Sequence, residues 1–178
     1  VNILKYREYI DTECSNHHNR TLNRKALKLD GNNSLKMAVG CKDLKSCDYL
    51  KYKKDEILLI EISDVKKQFD SIMIRKDSLT AESKKQLGKT LNKKIDPRNI
   101  IRDELRAKYL ETSLILKELT ENIKFNLNKS KICMRAICSK KISDIMALQY
   151  LINDLKSSLK AFLKDVKIIF AKDIGMVI

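Results

Sequence analysis

Two acidic residues, Asp48 and Glu61, flank a stretch that reads as a β-hairpin. Its first arm is Cys47 to Tyr52, and its polar turn is Lys53-Lys54-Asp55-Glu56. The second arm, Ile57 to Ser63, is a short continuous apolar run, the pattern of a central strand buried on both faces. Folding symmetrically about Lys54-Asp55 sets Tyr52 opposite Ile57, Leu50 opposite Leu59, and Asp48 opposite Glu61. Directly opposed residues of an antiparallel pair have Cβ atoms roughly 4.5–5.5 Å apart. Two carboxylates that close repel each other unless a cation or a proton lies between them. A divalent metal is the expected partner. A bulged or odd-length turn would instead send one carboxylate to the other face.

An Asp on one strand, a hairpin and a Glu at the end of an apolar strand resemble the core of the PD-(D/E)xK nucleases. Restriction enzymes, Holliday-junction resolvases, repair nucleases and viral cap-snatching endonucleases share that core. The resemblance implies that Asp48 is the first acid and Glu61 the second, with Ile60 and Ile62 turned into the core. It implies Mg²⁺ or Mn²⁺ on Asp48 and Glu61, with Glu8 of the first helix lending a further carboxylate. It also implies a DNA or RNA substrate and an α-β-β-β-α-β core. The chain departs from the motif at Ser63, which stands where the family carries Lys, and at Cys47, which replaces a Pro. Lys66 and Lys67 follow closely and are the candidates for the missing lysine, orienting water or stabilising the pentacovalent phosphate. Gln68 matches a Gln that some members carry on the next helix.

The elements that must position these residues can be read independently. Leu4 to Cys14 offers a partial apolar face and predicts a helix. Lys25 to Leu29 predicts a short strand ended by the turn signal Asp30-Gly31-Asn32-Asn33. Leu35 to Val39 is expected to be extended, followed by the hairpin. Asp64 reads as a helix cap. Ser78 to Gly88 predicts a short helix with Thr80 as N-cap, Glu82 in its first turn and Gly88 as its stop. Asp96 caps a long helix that carries the sole proline, Pro97, at its first position, where the missing N–H costs nothing. Ile101, Leu105, Tyr109, Thr112, Leu116, Leu119 and Ile123 recur at steps of three and four, carrying that helix to about Asn126. Lys131 to Ser139 alternates as a strand. Ser143 and Asp144 open a helix with Ile145, Leu148, Ile152, Leu155, Leu159 and Phe162 on its apolar face, and Val166 to Ala171 is a last strand. The order α-β-β-β-α-β-α-β predicts a single layered α/β domain over 1–178, with a central mixed sheet flanked by helices and a basic insertion at about 78–96.

Charge is the second clue. The chain has 37 Lys and Arg against 23 Asp and Glu, a net of +14. Between Lys84 and Lys108 there are nine basic residues and three acids. Arg98, Arg102 and Arg106 repeat every four residues along one helix face, and with Lys84, Lys85 and Lys89 they are the expected nucleic-acid contacts. The plainer reading of these charges is a solvated surface. Neither helix sets basic residues opposite a bulky aromatic face, which argues against an anionic membrane.

Other chemistry finds little support. Five cysteines form no CxxC pair, and the odd number argues against a disulfide framework. Cys133 and Cys138 read as small buried strand residues. Cys14, His17 and His18 lack a fourth zinc ligand and read as a polar loop. No Gly-rich phosphate loop and no Ser-His-Asp or Cys-His arrangement is present. No apolar run approaches the length of a membrane span, and there is no signal-peptide pattern. An intracellular protein, cytoplasmic or nuclear, is expected, although a start at Val1 leaves room for an upstream segment. The leading expectation is a Mg²⁺- or Mn²⁺-dependent nuclease. Two alternatives are a catalytically inactive nucleic-acid-binding protein of the same fold, and a protein-interaction module such as an effector, inhibitor or immunity factor.

Overall fold

The structure, a computed structural model, describes residues 2–11, 24–53, 56–63, 65–86, 88, 95–123, 131–138, 145–159 and 165–170. Its centre is a six-stranded mixed sheet in sequential order. The strands are β1 (Arg7–Tyr9), β2 (Lys25–Lys28), β3 (Tyr49–Lys53), β4 (Glu56–Ile62), β5 (Lys131–Cys138) and β6 (Asp165–Phe170). β1 to β4 form an antiparallel meander, while β5 and β6 run parallel to β4. The helices are α1 (Leu35–Ala38), α2 (Val65–Asp77), α3 (Ala81–Gln86), α4 (Pro97–Ile123) and α5 (Ile145–Leu159). A parallel neighbour for β4 requires a crossover, and the long helix α4 lies within it.

The hairpin forms in the expected register. Tyr52 pairs with Ile57, Leu50 with Leu59, and Tyr49 with Ile60. The ladder ends at Tyr49 and Ile60, and Asp48, one residue before β3, accepts from the Ile62 N–H through its carboxylate. The turn residues 54–55 lie outside the described residues, but Lys53 pairs with Glu56 across them. β4 is buried along most of its length, as its apolar run requires.

Alternation along β4 divides the core. Ile57 and Leu59 join Leu27 and Leu50 in the larger cluster, together with Ile101, Leu105, Tyr109, Leu116 and Leu119 of α4 and Leu151, Leu155 and Leu159 of α5. Val65 of α2 is buried in the same cluster, and Phe69 and Ile72 pack against it. Ile60 belongs to a smaller cluster on the opposite face with Ile10, Ala26 and Tyr49. The helices that position the site, α2 and α4, therefore both pack on the face that Ile57, Leu59 and Glu61 share.

Caps set the helix starts. Asp96 Oδ1 accepts from the Arg98 N–H at 2.9 Å at the head of α4, and Thr80 Oγ1 accepts from the Ser83 N–H at 3.1 Å at the head of α3. Gly88 follows α3 with φ +64°, in the region that favours glycine. Helix α2 was not placed from the sequence, although it starts immediately after Asp64, itself outside the described residues.

Two expected elements differ. The expected helix Leu4–Cys14 is not found over its described part, which ends at Asp11: a 3-10 turn, Ile3–Tyr6, leads directly into β1. Arg7 and Tyr9 are exposed while Glu8 is half-buried and Ile10 fully buried, so the segment follows a period of two and pairs with β2. Leu35–Val39 is not extended either, because its first four residues form α1. Leu, Lys, Met and Ala are all good helix formers, and Ser34 stands at the N-cap with an extended backbone. The observed order thus opens β-β-α-β-β rather than α-β-β-β.

One buried polar link ties the hairpin to α4. Thr112 is fully buried, and its Oγ1 accepts from the Cys47 N–H at 2.9 Å. Valine has nearly the same shape but no acceptor. Thr112→Val should therefore cost about 1–3 kcal/mol by orphaning a buried N–H, whereas Thr112→Ser keeps the bond. Urea unfolding at unchanged m-value checks this. Equal stability of the Val variant would show that the link contributes nothing.

Candidate functional site

Glu61 is buried near the end of β4, with 1 % of its surface exposed. Its place on the helix-covered face aims it at α4, where Lys108 Nζ lies 2.5 Å from its Oε1. The second carboxylate oxygen, Oε2, is buried and has no hydrogen-bond partner. Burial, and after it the negative charge of Asp48, pushes the Glu61 carboxyl up to about 8, although Lys108 pulls the other way. Lys108 behaves in the opposite sense. Burial works against its charge, but Glu61 and Asp48 outweigh burial and raise the ammonium above its ordinary value.

Asp48 precedes β3 by one residue. Its backbone carbonyl accepts from Leu29 N–H at 2.8 Å, and its Oδ2 accepts from Ile62 N–H at 2.6 Å. The carboxylate is thus pinned across the end of β4, next to Glu61. It lines a cleft of about 280 Å³ with Glu8, Asp11, Lys28, Asp30, Gly31, Tyr49 and Ile62. Glu61 and Lys108 line a second cavity, about 460 Å³, with Ser63, Lys67, Gln68, Ser71, Ile72, Arg75 and Glu104. Ile62 borders both, so the two acids meet at the end of one strand from opposite cavities.

Glu8 reaches the Asp48 cleft from β1 and not from a helix. Its carboxylate is engaged by Lys28 Nζ at 3.2 Å and by the Tyr49 hydroxyl at 3.4 Å. Asp30, in the same cleft, is bound by Lys36 and by the Gly31 N–H. Burial works against the Asp30 charge, yet these partners keep its carboxyl below its ordinary value. Cys47, next to Asp48, is fully buried, and burial drives its thiol far above the ordinary range, an inert setting.

Ser63 is buried in the lining of the Glu61 cavity, and Gln68 and the exposed Lys67 line it from α2. Lys66 also lies on α2. The lysine that touches Glu61 is Lys108, which the sequence reading passed over. Its signal was its phase. Ile101, Leu105, Lys108 and Thr112 follow one another at steps of four, three and four, so a lysine stands in the buried stripe of the long helix.

The basic stripe is partly spent. Arg98 is bound bidentately by Asp96, at 3.0 and 2.6 Å, and Arg102 contacts Asp103 at 2.8 Å and reaches Asp154 of α5 at 3.9 Å. Arg106 is exposed on the same helix. Lys84 and Lys85 lie in the last turn of α3. Lys89, the turn at Lys54-Asp55, and Cys14, His17 and His18 fall outside the described residues.

Among the described residues, no group of three or more His, Cys, Asp or Glu side chains is placed to hold a metal ion. Asp48 and Glu61 offer carboxylate oxygens, which suit a hard cation, and Mg²⁺ commonly takes one or two carboxylates and fills its shell with water. The orphaned Oε2 is an oxygen that such a cation, or a proton, would satisfy. Glu61 thus has an oxygen free to take a cation, while the Asp48 carboxylate accepts from the Ile62 N–H.

No protein-family model matches the chain, and no curated protein and no solved structure matches it. No described helix is long and apolar enough to cross a membrane.

Proposed function

We propose that the chain is a metal-dependent nuclease, with Asp48 and Glu61 as its cation-binding acids and Lys108 as the lysine absent from position 63. The observation that carries this reading is the convergence of Asp48, Glu61 and Lys108 at the end of β4, with one Glu61 oxygen buried and unpartnered. The element order supports it. An antiparallel meander, a crossover containing a long helix and a parallel strand follow in the sequence that the PD-(D/E)xK resemblance implies, with β1 in place of the expected first helix.

A Mg²⁺ or Mn²⁺ ion on these acids would activate a water and stabilise the leaving oxygen of a phosphodiester. The chain's own groups have distinct tasks. Asp48, fixed by the Ile62 N–H, keeps its carboxylate oriented. Glu61, whose carboxyl burial pushes up to about 8, would hold the cation on the helix-covered side. Lys108 holds a positive charge beside Glu61 in a partly buried position, where it can stabilise charge developing on a phosphoryl oxygen. Lys67 lines the wall of the same cavity.

Incubation with single- and double-stranded DNA and RNA in Mn²⁺, Mg²⁺ or EDTA tests the reading. Cleavage of at least one substrate in either metal, and none in EDTA, is the expected result. Binding without cleavage under every condition would favour an inactive nucleic-acid-binding protein of the same architecture. That alternative has an observation of its own, since Glu61 already has Lys108 as a partner.

A further inference from the structure

The Glu61 cavity has a wall that the basic stripe of α4 does not supply. Helix α2 is held to the core by Val65, Phe69 and Ile72, at steps of four and three. That anchoring fixes its rotation and turns another row, Lys67, Ser71 and Arg75, to the cavity rim. All three are exposed, and all three line the cavity that holds Glu61 and Lys108. We propose that this row is the binding rail for the phosphates of the nucleic-acid strand presented to Glu61 and Lys108.

The spacing fits a backbone. Eight residues of helix rise ~12 Å from Lys67 to Arg75, which is the axial span of three to four phosphates of one strand. Ser71 stands midway with a hydroxyl that can donate to a phosphate oxygen. The charge also fits. Arg75 makes no ion pair among the described residues, whereas Arg98 and Arg102 already hold carboxylates. A planar guanidinium is well suited to a phosphate. Glu104, the other acid in the lining besides Glu61, projects from α4 and keeps an anionic backbone on the α2 side.

The proposal deepens the nuclease reading but is tested apart from it, because phosphate contacts need no metal. Binding of fluorescent single-stranded and duplex DNA and RNA is measured by anisotropy in EDTA from 50 to 300 mM KCl. K67Q/R75Q is compared with R98Q/R102Q/R106Q and wild type, with folding of each checked by circular dichroism. K67Q/R75Q should weaken binding roughly tenfold or more at 100 mM salt, and should lower the salt slope by about 1.4 on single strands or 1.8 on duplex. The triple variant should change the slope by less than half as much.

An unchanged slope for K67Q/R75Q, with a flattened slope for the triple variant, overturns the rail and returns the contact surface to α4. Absence of wild-type binding on every substrate also overturns it. If K67Q/R75Q lowers the slope but wild type never cleaves in Mn²⁺ or Mg²⁺, the rail stands and the nuclease reading fails. If wild type cleaves while K67Q/R75Q keeps both its slope and its KM, the nuclease reading stands and the rail fails.

Discussion

Asp48→Asn and Glu61→Gln should each bring metal-dependent cleavage below detection while leaving nucleic-acid binding in EDTA intact. Each substitution removes a negative charge and an anionic oxygen without changing the shape of the side chain, so loss of activity reports lost cation binding. Glu61→Gln is the more informative of the two. It resembles the protonated state that burial and Asp48 favour below about pH 8, so it should fold at least as well as wild type at pH 6. Glu61→Ala is a poorer probe, because it opens a cavity and leaves Lys108 partly buried without its partner. A cation that takes Glu61 Oε2 must displace a proton below pH 8, so the apparent Mn²⁺ affinity of wild type should rise about tenfold per pH unit between 6 and 8. That slope can be read from thermal shifts at several metal concentrations, and it should be absent in Glu61→Gln. Full activity in Glu61→Gln would place the chemistry elsewhere.

The hairpin was legible because its information is local. A polar turn between two apolar arms sets the register, and once Tyr52 meets Ile57 the pairs down to Tyr49 with Ile60 follow from counting. The start of α4 was legible for a similar reason, since Asp96 and Pro97 carry their instructions within two residues. The N-terminus was not. Leu4, Tyr6, Tyr9 and Ile10 look helical in isolation, and only pairing with β2, whose residues lie about 18 positions further on, makes the segment a strand. The stretch from Leu35 was misread in the other direction, because four residues are too few for periodicity to separate a helical turn from a strand.

The site divides along the same line. The acids lie within one supersecondary unit, but their carboxylates line two different cavities on either side of Ile62. Their cation lies 47 residues beyond Glu61, on a helix that must first dock on the sheet. Lys66 and Lys67 were favoured for their nearness in the chain, yet α2 rises along the cavity wall and carries Lys67 to the exposed rim. Arg98, Arg102 and Arg106 show a limit of the same kind. Spacing alone places them on one face, but it does not reveal that Asp96 and Asp154 stand there to meet them.

Lys108→Met should destabilise the metal-free protein in a strongly pH-dependent way, and the sign follows from Glu61. The folded-state pKa of Glu61, about 8, lies above the unfolded value near 4.5. Between those values the folded state binds more protons than the unfolded one, so the Glu61 contribution to stability falls as pH rises through that window. Lys108 offsets the fall by stabilising the carboxylate that forms. Without it the Glu61 pKa moves higher still, and the folded state must either hold a proton against the solvent or bury an unpaired charge. At pH 6, where Glu61 is neutral in both variants, Lys108→Met should cost about 1 kcal/mol, the net value of one hydrogen bond. At pH 9 the cost should approach 3 kcal/mol, the lower end for breaking a buried pair. Denaturant unfolding in EDTA at the two pH values reads the difference directly. E61Q/K108M supplies the control, because it has no titrating carboxyl at position 61 and its cost should be the same at both. A Lys108→Met penalty of equal size at pH 6 and pH 9 would mean that the lysine contributes packing from its methylene stem, and that the charge pair at the end of β4 is not what holds it there.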